Sequence, residues 1–139
     1  MANSVRQVMT ANPVILEANT PIREAARAMR DKSIGNVVVQ QNGQLYGIVT
    51  DRDIVVRAVA EGRDTGNTTL DSVCTKEVTS LSPDQSDDDA VRIMKEKSIR
   101  RLPVVENGKV VGIVSLGDLA VEKDAQSALG QNSAASANA

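Results

Sequence analysis

The chain has no histidine, tryptophan or phenylalanine, and among its 139 residues stand one tyrosine, Tyr46, and one cysteine, Cys74. Each absence removes a class of function. Without histidine, the commonest general base and the commonest ligand of catalytic zinc are both missing, which excludes triad hydrolases and most metal hydrolases. A single cysteine makes no intramolecular disulfide and no thiolate cluster for zinc or iron–sulfur. Cys74 stands in an apolar pattern, which marks a buried thiol rather than a nucleophile. With Tyr46 alone there is no aromatic platform on which unpaired bases could stack. The 16 Lys plus Arg against 18 Asp plus Glu leave a net charge of −2. No long-range field therefore draws in nucleic acid or an anionic membrane, and any anion site must be local. No apolar run approaches membrane-spanning length, and Met1-Ala2-Asn3-Ser4 lacks the charged and apolar regions of a signal peptide, so a cytoplasmic protein is expected.

What is present is about one domain's length of chain, 41% hydrophobic and 24% charged, and a repeat. Shifted by 65 residues, the sequence matches itself without a gap, Val8 to Ile54 against Val73 to Leu119. The identities include Thr10 with Thr75, Lys32-Ser33-Ile34 with Lys97-Ser98-Ile99, Asn42-Gly43 with Asn107-Gly108, and Asp53 with Asp118. Two copies are too few for a solenoid and imply a pseudo-two-fold pair that buries a shared core. The expected division is 1–62 for the first copy, 63–69 for a polar, Gly-containing linker, 70–124 for the second copy, and 125–139 for a mobile tail of Ala, Ser, Asn and Gln.

Each copy reads as a short helical lead-in, a short extended piece, a helix, a hairpin and a second helix. Thr20 caps and Pro21 opens the first long helix, with Ile22, Ala25, Ala26 and Met29 on one apolar face. Asn42-Gly43 predicts the turn between β-branched runs at Val37–Gln40 and Leu45–Thr50. In the second copy Asp87, Asp88 and Asp89 follow a Ser86 cap and complement the helix dipole. Asp87 falls on the apolar Ile22, which predicts a helix that begins later or exposes its first turn.

The chemistry gathers where the second hairpin strand of each copy ends, Gly47-Ile48-Val49-Thr50-Asp51-Arg52-Asp53 and Gly112-Ile113-Val114-Ser115-Leu116-Gly117-Asp118. A buried strand ending on a hydroxyl at a helix start offers free N–H groups to phosphate, and the Asp offers acceptors that suit a ribose diol. Helix capping by the same hydroxyl and carboxylate is the alternative. Nothing places Asp51, Asp53 or Asp118 around a reacting bond or activates a nucleophile, so no enzyme is expected.

The doubled β-α-β-β-α order, with Val8-Met9-Thr10, Arg101-Leu102-Pro103-Val104-Val105 and Gly-Ile-Val-Thr/Ser-x-x-Asp, resembles a tandem pair of CBS domains over residues 5–124. The likeness looks closest to small stand-alone bacterial proteins of the hypoxic-response type. The resemblance implies an α/β (α+β) fold and clefts between the copies that take AMP, ADP, ATP, NAD or S-adenosylmethionine, with no cofactor required. One cleft would use Thr50 and Asp53 with Thr79, Ile99, Arg100 and Arg101, and the other Ser115 and Asp118 with Val14, Ile34, Gly35 and Asn36. Adenine would lie among Ile48, Ile113, Ile99 and Ile34, whose other reading is ordinary core. Arg100 and Arg101 align with Gly35 and Asn36, so the cleft with Asp53 is expected to prefer more phosphorylated ligands. The resemblance further implies a homodimer built through the helices and a regulatory role, in which ligand binding changes a conformation that an unknown protein partner reads. A stress association rests on the resemblance alone, since the chain encodes no haem ligand or redox pair. A ligand-free interaction module with vestigial clefts is the competing expectation.

Overall fold

These patterns resolve into five α-helices and six strands over the described residues, 3–76 and 79–124 of a computed structural model. Val78 and the expected tail, 125–139, lie outside the described residues. Helix α1 (Val5–Val8) and strand β1 (Thr10–Ala11) are followed by β2 (Ile15–Glu17), α2 (Ile22–Lys32), β3 (Asn36–Gln41), β4 (Gln44–Thr50) and α3 (Asp51–Ile54). Helix α3 runs on into a π-helical turn, Val55–Val59, and a 3-10 turn follows at Leu70–Ser72. The second half carries α4 (Asp87–Lys97), β5 (Arg101–Glu106), β6 (Lys109–Ser115) and α5 (Leu116–Asp124).

The repeated tripeptides and dipeptides have backbone causes. Both hairpins turn on residues at positive φ, Asn42 (54°) with Gly43 (76°) and Asn107 (53°) with Gly108 (79°), as a two-residue turn matched to strand twist requires. Both long helices end on a left-handed serine, Ser33 (φ 53°) and Ser98 (φ 54°). The next residue then returns its N–H to the helix, Ile34 to the Met29 carbonyl at 3.0 Å and Ile99 to that of Met94 at 3.1 Å. Lys-Ser-Ile recurs because it is a helix stop.

Some expectations change in detail. Pro21 occupies the cap position of α2, with no side-chain cap bond. Ala26 is exposed while Ile22, Ala25 and Met29 are buried. Helix α4 does begin at Asp87, and Asp87 is only 2% exposed. The N-terminal segment covers it, since the Asp87 N–H donates to the Asn3 carbonyl at 2.7 Å, and a carboxylate in the first turn of a helix is favoured by the dipole. Ser86 caps as expected, accepting from the Asp89 N–H at 3.1 Å.

The chain divides into two compact units, Pro13–Val78 and the pair Met1–Asn12 with Thr79–Ala139. Packing therefore crosses the sequence repeats, because each unit is completed by the segment that opens the other repeat. In the first unit, the Leu70 N–H donates to Thr20 at 2.9 Å, Asp71 to Ala18 at 3.0 Å, and Thr75 and Ile48 exchange both backbone bonds at 2.9 Å. In the second, the Val5 N–H donates to Gln85 at 2.7 Å, Arg6 to Pro83 at 3.0 Å, and Thr10 pairs with Ile113. These contacts correspond at the 65-residue offset with the lending segment changed. The 63–69 stretch is part of this scheme: its Thr68 and Thr65 carbonyls accept from Ile22 and Arg23 at 2.8 and 3.1 Å, filling N–H groups that a helix start leaves open.

Each unit has one sheet and one core. Parallel β2–β3 and antiparallel β3–β4 form the first sheet, and β1–β6–β5 the second. Ile22, Met29, Val37, Val39, Val49, Leu70 and Val73 pack in the first core, and Val5, Leu81, Met94, Leu102, Val104, Val114 and Leu119 in the second. Cys74 is buried in the first core, as its apolar setting predicts.

Gly47 and Gly112 exist for the exchanged segments. A Cβ at Gly47 would lie 2.3 Å from the Thr75 carbonyl oxygen, which is backbone, whereas at Gly112 the nearest atom, at 2.5 Å, is the sulfur of the flexible Met9 side chain. Gly47→Ala is expected to lose about 3 kcal/mol in urea unfolding and Gly112→Ala about 1 kcal/mol, the costs of crowding a packed site without and with a side chain that can yield. Equal losses would contradict this account.

Candidate ligand-binding site

Strand β4 ends at Thr50, and the chain turns directly into α3. Thr50 Oγ1 accepts from the Asp53 N–H at 3.0 Å, and Asp53 Oδ2 accepts from the Thr50 N–H at 2.9 Å. Strand β6 ends the same way: Ser115 Oγ accepts from the Asp118 N–H at 3.0 Å, and Asp118 Oδ2 from the Ser115 N–H at 3.3 Å. Both are reciprocal capping boxes, with Asp in the place more often held by Glu. The capping reading of these four residues is thus realised. Each box uses one carboxylate oxygen and leaves Oδ1 without a hydrogen bond among the described residues.

The remaining candidates surround these two tips, sorted by unit. In the first unit Asn36 pairs with Thr50 in the sheet, the Gly35 carbonyl accepts from the Asp51 N–H at 3.1 Å, and the Val14 carbonyl accepts from Val38 at 2.9 Å. Ile48 is buried on β4, and the half-buried Ile34 packs on its own unit's core. In the second unit Arg101 pairs with Ser115, and the Arg100 carbonyl accepts from the Leu116 N–H at 2.7 Å. Ile113 is buried, Ile99 packs on the second core, and Thr79 is half-buried at the start of the unit. The candidates so divide by unit, with Val14, Ile34, Gly35, Asn36, Ile48, Thr50 and Asp53 in one and Thr79, Ile99, Arg100, Arg101, Ile113, Ser115 and Asp118 in the other.

Comparison with known proteins settles what this doubled unit is. A CBS domain profile matches residues 5–59 and again residues 70–123. The chain belongs to the CBS domain family. Among its CBS relatives, the CBS domain-containing protein YhcV of Bacillus subtilis is 42% identical over 121 residues, which is 87% of this chain and 86% of that protein. Hypoxic response protein 1 of Mycobacterium tuberculosis is 29% identical over 118 residues, 84% of this chain and 82% of that one. Among solved structures, the CBS domain pair of MJ0100 in complex with 5′-methylthioadenosine and S-adenosyl-L-methionine superposes with a TM-score of 0.80 at 26% identity, over 91% of this chain and all of that one. The family is one of regulatory modules and indicates no enzyme. Among the described residues no helix is long and apolar enough to cross a membrane.

Two features separate the CBS repeats of this chain. Arg100, exposed, and Arg101, half-buried, make no side-chain hydrogen bond or ion pair among the described residues, and their counterparts are Gly35 and Asn36. Arg57 stands near Asp53, 3.8 Å from Arg57 Nη2 to Asp53 Oδ1, where the second repeat has Glu122. Sequence reasoning passed over Arg57, although its place four residues after Asp53 was a usable signal.

Thr50→Ala and Ser115→Ala each remove one cap acceptor while leaving the rest of the tip in place. Each is expected to lower unfolding free energy by about 1 kcal/mol, read by chemical denaturation. A loss in one repeat only would show that the two boxes are not equivalent.

Proposed function

We propose that the chain is a regulatory module that binds an adenosine-containing ligand at these strand tips, with Asp53 and Asp118 receiving ribose hydroxyls. The observation that carries the reading is the recurrence of one tip geometry in both units, in which the cap occupies a single carboxylate oxygen and leaves the other to accept from a hydroxyl. The N–H groups expected to be free at these helix starts are largely taken, Asp51, Arg52 and Asp53 donating to Gly35, the Asp51 carboxylate and Thr50, and Leu116 and Asp118 to Arg100 and Ser115, so a phosphate falls to the arginines. The adenosine ligands held by the MJ0100 pair support the same class here, with AMP, ADP, ATP, NAD and S-adenosylmethionine as the candidates. The protein acts in the cytoplasm by population shift: a ligand biases the conformation that it binds more tightly, and a protein partner reads the difference. Self-association as a homodimer belongs to this reading. Val55, Val56 and Val59, at 56%, 47% and 58% exposure, supply apolar surface on the helical turn after α3.

A second reading has its own observation. Both Asp residues cap helices, and Val14, Ile34 and Ile99 pack on their own cores, so these candidates have a structural use. A ligand-free interaction module would keep the same residues. A thermal-shift panel of the five ligands separates the two, since a ligand at a hundredfold excess over its Kd stabilises by about 2.7 kcal/mol. A raised melting temperature that is lost in the Asp53→Ala, Asp118→Ala double variant is expected. No shift and no calorimetric heat with any of them would leave the interaction module.

Arg100 and Arg101, as free guanidinium groups, hold phosphate in this proposal. Replacing both by Ala is expected to weaken ATP binding by at least about tenfold, a loss of about 1.4 kcal/mol, while binding of S-adenosylmethionine, which has no phosphate, stays within twofold. Equal loss for both ligands in calorimetry would remove the arginines from phosphate recognition.

A further inference from the structure

Arg57 joins the first strand tip to the segment that the second repeat lends. Its Nη2 lies 3.8 Å from Asp53 Oδ1, the oxygen that the capping box leaves over, and its Nη1 donates to the Val73 carbonyl at 2.9 Å. Val73 is fully buried in the exchanged segment, which is held by amides of Val73 and Cys74 to the Leu70 carbonyl at 3.1 and 2.9 Å and of Thr75 to Ile48 at 2.9 Å. Four residues after Thr75 the chain reaches Thr79, where the other unit begins. The electrostatics follow the same line: burial pushes the Cys74 thiol up, and the Asp71 and Asp53 carboxylates push it further. At 3.8 Å the Asp53 contact is an ion pair longer than a hydrogen bond, so Oδ1 can still accept from a hydroxyl. In the sequence, Glu122 stands at the 65-residue offset from Arg57, so the second repeat has no arginine in the corresponding position.

We infer that Arg57 is a positioning residue that ties the Asp53 carboxylate to the Leu70–Thr75 segment, so that a ligand hydroxyl engaging Asp53 Oδ1 loosens that segment. The tie stands on the geometry of the chain itself, while the loosening rests on the ligand reading given above. It makes the first tip the one whose occupancy is transmitted along the chain. The second tip binds without this consequence.

Hydrogen–deuterium exchange over residues 70–75 of the full chain tests both parts. Without ligand, Arg57→Met keeps the aliphatic stem, removes both polar contacts, and is expected to speed exchange of the Val73, Cys74 and Thr75 amides by about tenfold, as loss of a charged hydrogen bond implies. Asp53→Asn retains a cap acceptor and gives a smaller acceleration, Arg57→Lys restores most of the protection, and Asp118→Asn leaves this segment unchanged. Exchange in Arg57→Met equal to that of the natural chain overturns the tie. With AMP or ATP added, and binding verified by calorimetry, the segment is expected to exchange faster in the natural chain and to be unaffected in Arg57→Met. A bound nucleotide that slows exchange there, or leaves it unmoved, overturns the coupling while sparing the ligand reading. A chain that takes up neither nucleotide removes the coupling, while the five-ligand panel above decides the ligand reading and the ligand-free variants decide the tie.

Discussion

The reciprocal backbone bonds between Ile48 and Thr75 are the constraint on which the first unit depends. Without Thr75 beside it, β4 would be an edge strand with open N–H and C=O groups, and edges of that kind invite pairing with any available chain. The lent segment covers that edge at Ile48, and its approach requires a residue without a side chain at Gly47. The same relation holds between Thr10 and Ile113, with Gly112 in the matching place. Since β4 and β6 run straight into Thr50 and Ser115, the segment paired two residues before each tip also helps to fix where that tip lies.

At those tips the same atoms serve stability and recognition. A reciprocal cap holds the hydroxyl and carboxylate in fixed orientation before any ligand arrives, and groups already ordered cost less entropy to engage. The arrangement also means that a change at Asp53 or Asp118 is felt twice, once in the helix start and once in whatever the free oxygen contacts. The arginines differ in kind. Arg100 and Arg101 contribute to no ion pair or side-chain hydrogen bond among the described residues, so their charge is available for an anion without disturbing the unit that carries them.

Much of this was legible in the sequence because the repeat carries its own controls. Asn-Gly, Lys-Ser-Ile and Gly-Ile-Val each occur twice, and each corresponds to a local backbone state: a primed turn, a left-handed helix stop, and a strand against which another segment packs. Local physics of that sort is visible in short windows. What was not legible is non-local. The exchange of opening segments between repeats involves residues from 27 positions apart (Ile48 and Thr75) to 103 (Thr10 and Ile113), and two equivalent copies give no sign of which partner each segment chooses. Asp87 shows the same limit: its carboxylate looks exposed beside Ile22, yet the Asn3 segment covers it. The π-helical turn at Val55–Val59 was missed because its apolar spacing is also that of an ordinary helix. The tips themselves were identified as a pattern, but capping and ribose binding need the same residue types at the same interval, so the sequence left both readings open.

The continuity of Pro13–Val78 has an outcome for how the polypeptide emerges from the ribosome. That stretch contains all its own pieces, including the borrowed one, and is finished when its last residue leaves the exit tunnel. Residues 3–12 are synthesised earlier and yet meet their partners only when Pro83, Gln85 and Asp87 and then β6 follow, roughly eighty to a hundred residues later. Translation therefore inverts the order of the map: the stretch that lies between matures first, and the segments that flank it are drawn together last.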